Sequence, residues 1–270
     1  MPWTRDHLDW LVETGETVTT ACGKVVPVLE FRYDVANEQV MSKWAEHFRN
    51  HYCLDVDLPI LKSPDQSNSE YFLSVKFPNR SGAGPAIRAG DFSEILVADY
   101  LQYLCEYYVP RTRYDRKIIG NESTKGSDVV GFKQHGNSAD SNGELIVYEV
   151  KAKLSENSSD NVLQTAINDS SKDEARLAES LNGIKQRLHD KGDVDGVQIV
   201  DRFQRNIDAP YQRKYGAAGI VTNTSYSPEV LAGSDTNGHV ASGNLEMLVI
   251  KGELLMSLVH SLYERAANEA

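Results

Sequence analysis

Glu144-Leu-Ile-Val-Tyr-Glu-Val-Lys-Ala-Lys153 is the stretch that decides the fold. Its β-branched and aromatic run predicts a long strand. Side chains alternate across a strand, so Val147, Glu149 and Lys151 share one face, while Tyr148, Val150 and Ala152 take the other. Glu149 and Lys151 are then presented about 7 Å apart on the same face. The run is otherwise apolar, which predicts a central place in a sheet, where unpaired charge is costly. A function or a pairing must hold these two charges there.

The pattern extends outward in both directions. Upstream, residues 127–133 read as a short apolar strand, joined to the first through a polar Gly-, Asn- and Ser-containing loop at 134–142, which is hairpin spacing. A strong helix is expected over about 91–108, ending before Pro110, with a possible strand at 113–119. Downstream, a polar break at 155–160 leads into mainly helical sequence up to about residue 206. Its clearest apolar stripe is Leu177, Leu181, Ile184 and Leu188. Residues 216–222 and 245–250 read as buried strands, separated by a Ser- and Gly-rich stretch at 225–243 expected to be a mobile loop. Residues 252–267 read as a closing helix. The sum is an α/β core with a mixed central sheet flanked by helices, assigned to residues 81–270.

The first 80 residues predict a small α+β region. Residues 24–33 suggest a strand that Pro27 makes an edge or interrupts. Val40, Trp44 and Phe48 recur at helical spacing over 37–52. Residues 63–70 read as a polar loop and 71–77 as a short strand. The turn-rich Pro78-Asn-Arg-Ser-Gly-Ala-Gly-Pro85 marks the expected boundary.

Composition bounds the class. The 270 residues are 40% hydrophobic and 25% charged, ordinary for a globular protein. No run approaches a membrane span and the polar N-terminus lacks a signal-peptide core, so a cytoplasmic protein is expected. Three widely spaced cysteines fit reduced thiols better than a disulfide framework or a zinc site. The net charge of −11 argues against a protein that grips nucleic acid unaided. No GxSxG, P-loop or HExxH is present. His47 and His51 lie at i and i+4 beside Trp44 and Phe48, and with no third ligand nearby in sequence they read as core or surface histidines.

Three elements carry candidate chemistry. The triplet Glu149-x-Lys151 is weak alone, since about two acid-x-lysine triplets are expected by chance, and the other is Asp115-x-Lys117. Its plain alternative is an ion pair on an edge strand. Asp128 follows Gly126-Ser127 at the head of a strand that the hairpin would bring beside Glu149. Two hard oxygen donors would then converge, as Mg²⁺ or Mn²⁺ requires, although Gly-Ser-Asp is also good turn chemistry. Glu94 heads a helical row of Ala98, Leu101 and Cys105, which is apolar and therefore buried. Its alternative is a capping box with Asp91, which reads as the helix cap.

Glu94 on a helix, Asp128 on one strand and Glu149-Val-Lys151 on the next together resemble the PD-(D/E)xK nucleases, with Ser127 where the name has Pro. More narrowly, Gly90-Asp-Phe-Ser-Glu94, Lys125-Gly-Ser-Asp128, Tyr148-Glu-Val-Lys151 and Ile250-Lys-Gly-Glu-Leu-Leu resemble HamA, the nuclease subunit of the bacterial Hachiman antiphage system. The resemblance covers about residues 85–270. It implies a restriction-endonuclease-like core and a metal-dependent DNA nuclease that works with a helicase subunit, HamB. Asp128 and Glu149 would hold Mg²⁺ or Mn²⁺ with the Val150 carbonyl, and Glu94 would serve a second metal or orient water. Lys151 would position or help deprotonate the attacking water. No small-molecule cofactor and no membrane are implied. A helicase that engages the DNA would reconcile a nuclease with the acidic charge. The alternative is a catalytically degenerate module of the same fold that binds a partner protein. Two basic clusters, Arg111, Arg113, Arg116 and Lys117, then Arg202, Arg205, Arg213 and Lys214, either contact phosphates or form a solvated face. The N-terminal region and the apolar face of residues 195–207 are candidate partner surfaces.

Overall fold

The computed structural model describes residues 3–134, 143–155, 160–207 and 209–270. Six strands form one sheet: β1 (Leu11–Thr19), β2 (Val25–Phe31), β3 (Val129–Lys133), β4 (Gly143–Lys153), β5 (Tyr211–Thr222) and β6 (Leu245–Gly252). Their spatial order is β1-β2-β6-β5-β4-β3. The inner four are mutually parallel, and β1 and β3 close the edges antiparallel. Parallel strands are covered on both faces and so read as continuous apolar runs. Residues 145–150 of β4 are all buried.

The helices make two outer layers. On one face, α1 (Glu38–Asn50), α4 (Gly84–Asp99) and α9 (Leu255–Asn268) cover Ile146, Tyr148 and Val150 of β4 with Ala218, Ile220, Leu248 and Ile250. The short α2 (Leu58–Leu61) and α3 (Asn68–Tyr71) contribute Leu58 and Tyr71 to this layer. On the other face, α5 (Val162–Ser170) packs Leu163, Ala166 and Ile167 on β5, β6 and β2. Next to it, α6 (Asp173–Asp190) and α7 (Val194–Gln204) cover Leu145 and Val147 with the expected stripe of Leu177, Leu181 and Leu188. A short α8 (Pro228–Ala232) completes the layer. No described helix is long and apolar enough to cross a membrane.

The α/β core, the mixed central sheet and both helical layers agree with the sequence reading. Several local expectations do not. Residues on either side of the expected 80/81 boundary share one sheet and one core, because β2 pairs with β6 and Trp44 and Phe48 join Phe92 and Leu262. Pro27 is tolerated because the β2–β6 pairing starts only at Val28. The expected strand at 71–77 is helical through Lys76. Ser67 and Glu70 form a reciprocal capping box that starts α3, and a π-turn continues it through Lys76. Residues 113–119 form bends and turns without a strand. Residues 225–243 include α8, and Ser234 and Thr236 there are almost wholly buried, so this stretch is packed. Of the expected polar loops, residues 135–142 and 156–159 lie outside the described residues.

Helix α4 begins at Gly84, two turns earlier than expected. Asp91 is therefore no cap. It is a buried mid-helix carboxyl that accepts hydrogen bonds from Tyr52 (2.7 Å) and Lys117 (2.6 Å). The capping-box alternative for Glu94 falls with it.

Candidate active site

Strand β4 outruns its neighbour β3. The pairing opens with Val129 opposite Tyr148, so residues 149–153 of β4 have no partner on that side. Asp128, one residue before β3, covers this exposed stretch, and its Oδ2 accepts from the Val150 N–H at 2.9 Å. A strand residue directs its N–H and C=O to the same side, so the Val150 carbonyl also faces this opening. Glu149 and Lys151 lie in the same stretch, on the face of α5 and α6.

Glu149 is buried, and its Oε1 accepts from Lys151 Nζ at 2.6 Å. Lys151 also reaches Asp169 of α5, at 2.9 Å. The ion pair considered as the plain reading of the triplet therefore exists, but on an inner strand and with a second acid attached. Burial alone would lower the Lys151 pKa. The hydrogen bonds to Glu149 and Asp169 outweigh it and hold the ammonium above the ordinary lysine range. Lys151 is thus a charged donor at neutral pH.

Across the opening, α4 supplies Glu94. Its Oε2 accepts from Tyr114 Oη (2.5 Å) and from Arg113 Nε (2.6 Å). Arg113 also donates from Nη2 to Asp128 Oδ1 (2.7 Å), so one guanidinium spans Glu94 and Asp128. Burial, followed by the charge of Glu94, pushes the Asp128 carboxyl well above the usual range; Arg113 opposes this and Glu149 adds to it. Behind Asp128, Ser127 donates to Asp173 Oδ1 at 2.9 Å. Asp173 of α6 is wholly buried with Oδ2 unpartnered, and burial raises its pKa to about 6.

The structure thus brings all four expected residues to one site, with Val150 between them. Glu94, Asp128 and Glu149 are hard oxygen donors, and burial, with Glu94 and Glu149 close by, raises the cost of a charged Asp128. Both features fit a divalent cation such as Mg²⁺. These carboxylates do not converge by themselves. Among the described residues, only His7, His47 and Asp99 bring three potential ligand atoms within 4.8 Å of one another.

That second cluster is an ion-pair network of another kind. The Thr4 N–H donates to His47 Nδ1 (3.3 Å), which makes Nε2 the protonated nitrogen, and it donates to Asp99 at 3.0 Å. A protonated nitrogen cannot ligate a metal. Arg111 provides the balancing charge on Asp99 at 2.7 Å. His47 and His51 are core histidines, as read from the sequence.

Arg113, Tyr114, Asp169 and Asp173 were not singled out by sequence as site residues. Arg113 was grouped with residues read as contacting phosphates or forming a solvated face; it is buried in the site, whereas the other members of both clusters pair within the chain, Arg116 and Arg205 of them at exposed positions. Arg111 pairs with Asp99, Lys117 with Asp91, Arg116 with Asp190, Arg205 with Asp201, Arg213 with Glu174, and Lys214 with Glu144 and Glu246. Arg202 bonds the Ala209 carbonyl. The cleft over Asp128 and Glu149 has other basic residues, Lys125, Arg176 and Arg187, and a volume of about 590 Å³.

No curated protein matches the chain. A family model for HamA matches residues 5–266, which takes in all six strands and every helix but the last two residues of α9. The chain therefore belongs to the HamA family, and through it to the proteins of Hachiman antiphage defence.

Proposed function

We propose that this protein is a Mg²⁺- or Mn²⁺-dependent endodeoxyribonuclease with a PD-(D/E)xK site on a restriction-endonuclease-like core. The observation that carries the reading is the meeting of Glu94, Asp128, Glu149 and Lys151 where β4 outruns β3. Asp128 and Glu149 would hold the metal with the Val150 carbonyl, and Glu94 would close the set from α4. When bound, the metal would polarise a scissile phosphate and lower the pKa of its water. Lys151, kept protonated by Glu149 and Asp169, would donate to the attacking water or to the phosphoryl oxygen as charge builds. A charged ammonium favours positioning over proton abstraction.

Supercoiled plasmid incubated with Mg²⁺ and with EDTA tests the reading. Cleavage should require the metal and vanish in Glu149→Ala and Lys151→Ala while both variants stay folded. Plasmid loss at the wild-type rate in the double variant would remove the site assignment.

In the cell we propose that it is the effector of a defence complex with a helicase resembling HamB. The net charge of −11 and the ion pairing of both basic clusters within the chain support a partner that engages the DNA. Co-purification with a helicase, and an ATP effect on cleavage, test this part. The degenerate-module reading draws on Arg113, which already balances Glu94 and Asp128. Calorimetric titration with Mg²⁺ separates the two: a module of that kind binds none.

A further inference from the structure

One stripe of α6 faces the cleft. Arg176, Ser180, Gly183 and Arg187 recur at intervals of four, three and four, which places them along one helix face, and all four line the cleft above Asp128 and Glu149. Lys125 lines the same cleft, next to Gly126 and Ser127, whose N–H donates to Ser180 Oγ at 3.2 Å. Arg176, Arg187 and Lys125 have no ion-pair partner among the described residues. Arg176 feels the buried Asp173 carboxylate one turn away, without pairing to it. In a chain whose other basic clusters are neutralised internally, these cations stand out. The cleft lining sets these three cations against Asp128, Glu149 and Glu179, the first two being the proposed metal ligands.

Gly183 supplies an independent observation. It lies in the middle of an 18-residue helix, with nothing within 4 Å of the position a Cβ would take. Mid-helix glycine costs about 1 kcal/mol relative to alanine, and here no neighbour requires it. The missing side chain leaves open space on the cleft face, between the two arginines. Arg176 and Arg187 are about 16 Å apart along the helix axis, the rise of about five nucleotides on one strand of B-form DNA.

Resting on the nuclease reading, we propose that the Arg176–Gly183–Arg187 face of α6, with Lys125 of the same cleft, binds the phosphodiester backbone of the DNA strand. The strand would cross the helix at Gly183 and enter the carboxylate site. The arginines grip phosphates without reading sequence.

The test is fluorescence anisotropy with labelled single-stranded and duplex oligonucleotides, using the full chain carrying Glu149→Gln so that cleavage does not interfere. Arg176→Ala and Arg187→Ala should each weaken binding about ten-fold, as lost charged hydrogen bonds do. Together they should flatten the log–log salt slope by about 1.5. Gly183→Leu should raise the melting temperature, since leucine favours the helix and has room, yet weaken binding at least ten-fold. The strand form that loses affinity identifies the substrate. Unchanged affinity and salt slope in the double arginine variant, or Gly183→Leu binding as tightly as its parent, overturns the proposal. The binding assay does not depend on cleavage, so a wild-type chain that binds through this face but never cuts would refute the nuclease reading alone.

Discussion

Replacing Arg113 with methionine should destabilise the metal-free protein and make its stability respond strongly to Mg²⁺. The guanidinium joins Glu94 and Asp128 at 2.6 and 2.7 Å, and its side chain is only 14% exposed. Removing one partner from a buried charge pair costs about 3–5 kcal/mol. Asp128 softens the loss, because its carboxyl is already pushed up and takes a proton readily. The lower end, about 3 kcal/mol, is therefore expected. A protein of this size loses about 2–4 °C of Tm per kcal/mol, or about 6–12 °C in all. A divalent cation can replace the lost positive charge between the carboxylates. With a Kd of about 1 mM, 10 mM Mg²⁺ returns about 1.4 kcal/mol, or about 3–6 °C. In the wild type the guanidinium competes for the same oxygens, so the Mg²⁺ shift should be smaller. Thermal melts of both proteins in EDTA and in Mg²⁺ measure all four terms. A variant that melts with the wild type, or gains no more than it does from Mg²⁺, refutes the idea that Arg113 stands where a cation belongs.

Asp173→Asn should raise Tm at pH 8 and make little difference at pH 4. The folded pKa near 6 lies above the unfolded value of 3.8, so the folded state binds the extra proton between them and stability falls as pH rises through that window. Asp99→Ala should cost about 3–5 kcal/mol in chemical denaturation at pH 7 by stranding Arg111. Despite burial, His47 and Arg111 hold the Asp99 carboxyl well below the usual range, so its stabilisation is present above pH 4 and fades only as pH falls through the depressed folded pKa. Gly216→Ala places a Cβ 2.3 Å from the Tyr148 ring, and such overpacking costs about 1–3 kcal/mol. It should also depress cleavage, because Tyr148 adjoins Glu149; a wild-type melt and rate would show that β4 yields freely.

The central layer was legible because its strands are inner ones. Burial on both faces leaves the apolar run 145–150 little room for another reading. Glu149 and Lys151 followed from strand alternation, and Asp128 from the hairpin. Local signals were harder. The start of α4 was placed late because Asp91-x-x-Glu94 imitates a cap, whereas the helix begins at Gly84-Pro85. The capping box Ser67-x-x-Glu70 was present in the sequence, but the aromatic run after it looked like a strand. Arg113 could not be placed. It lies on an irregular segment, and only tertiary structure decides whether an arginine meets carboxylates or solvent. The helical acceptors of Lys151 and Ser127, Asp169 and Asp173, lie 18 and 46 residues from them in sequence, distances no local pattern spans.

The position of β6 has a consequence for synthesis. Residues 245–252 wedge between β2 and β5, and α9 then packs on α1. Until the ribosome has delivered them, the N-terminal hairpin has no sheet to join, and β5 keeps a bare edge on the side away from β4. Nascent chains therefore cannot assemble this site one piece at a time. The proposed cleavage site is complete only when β6 is in place.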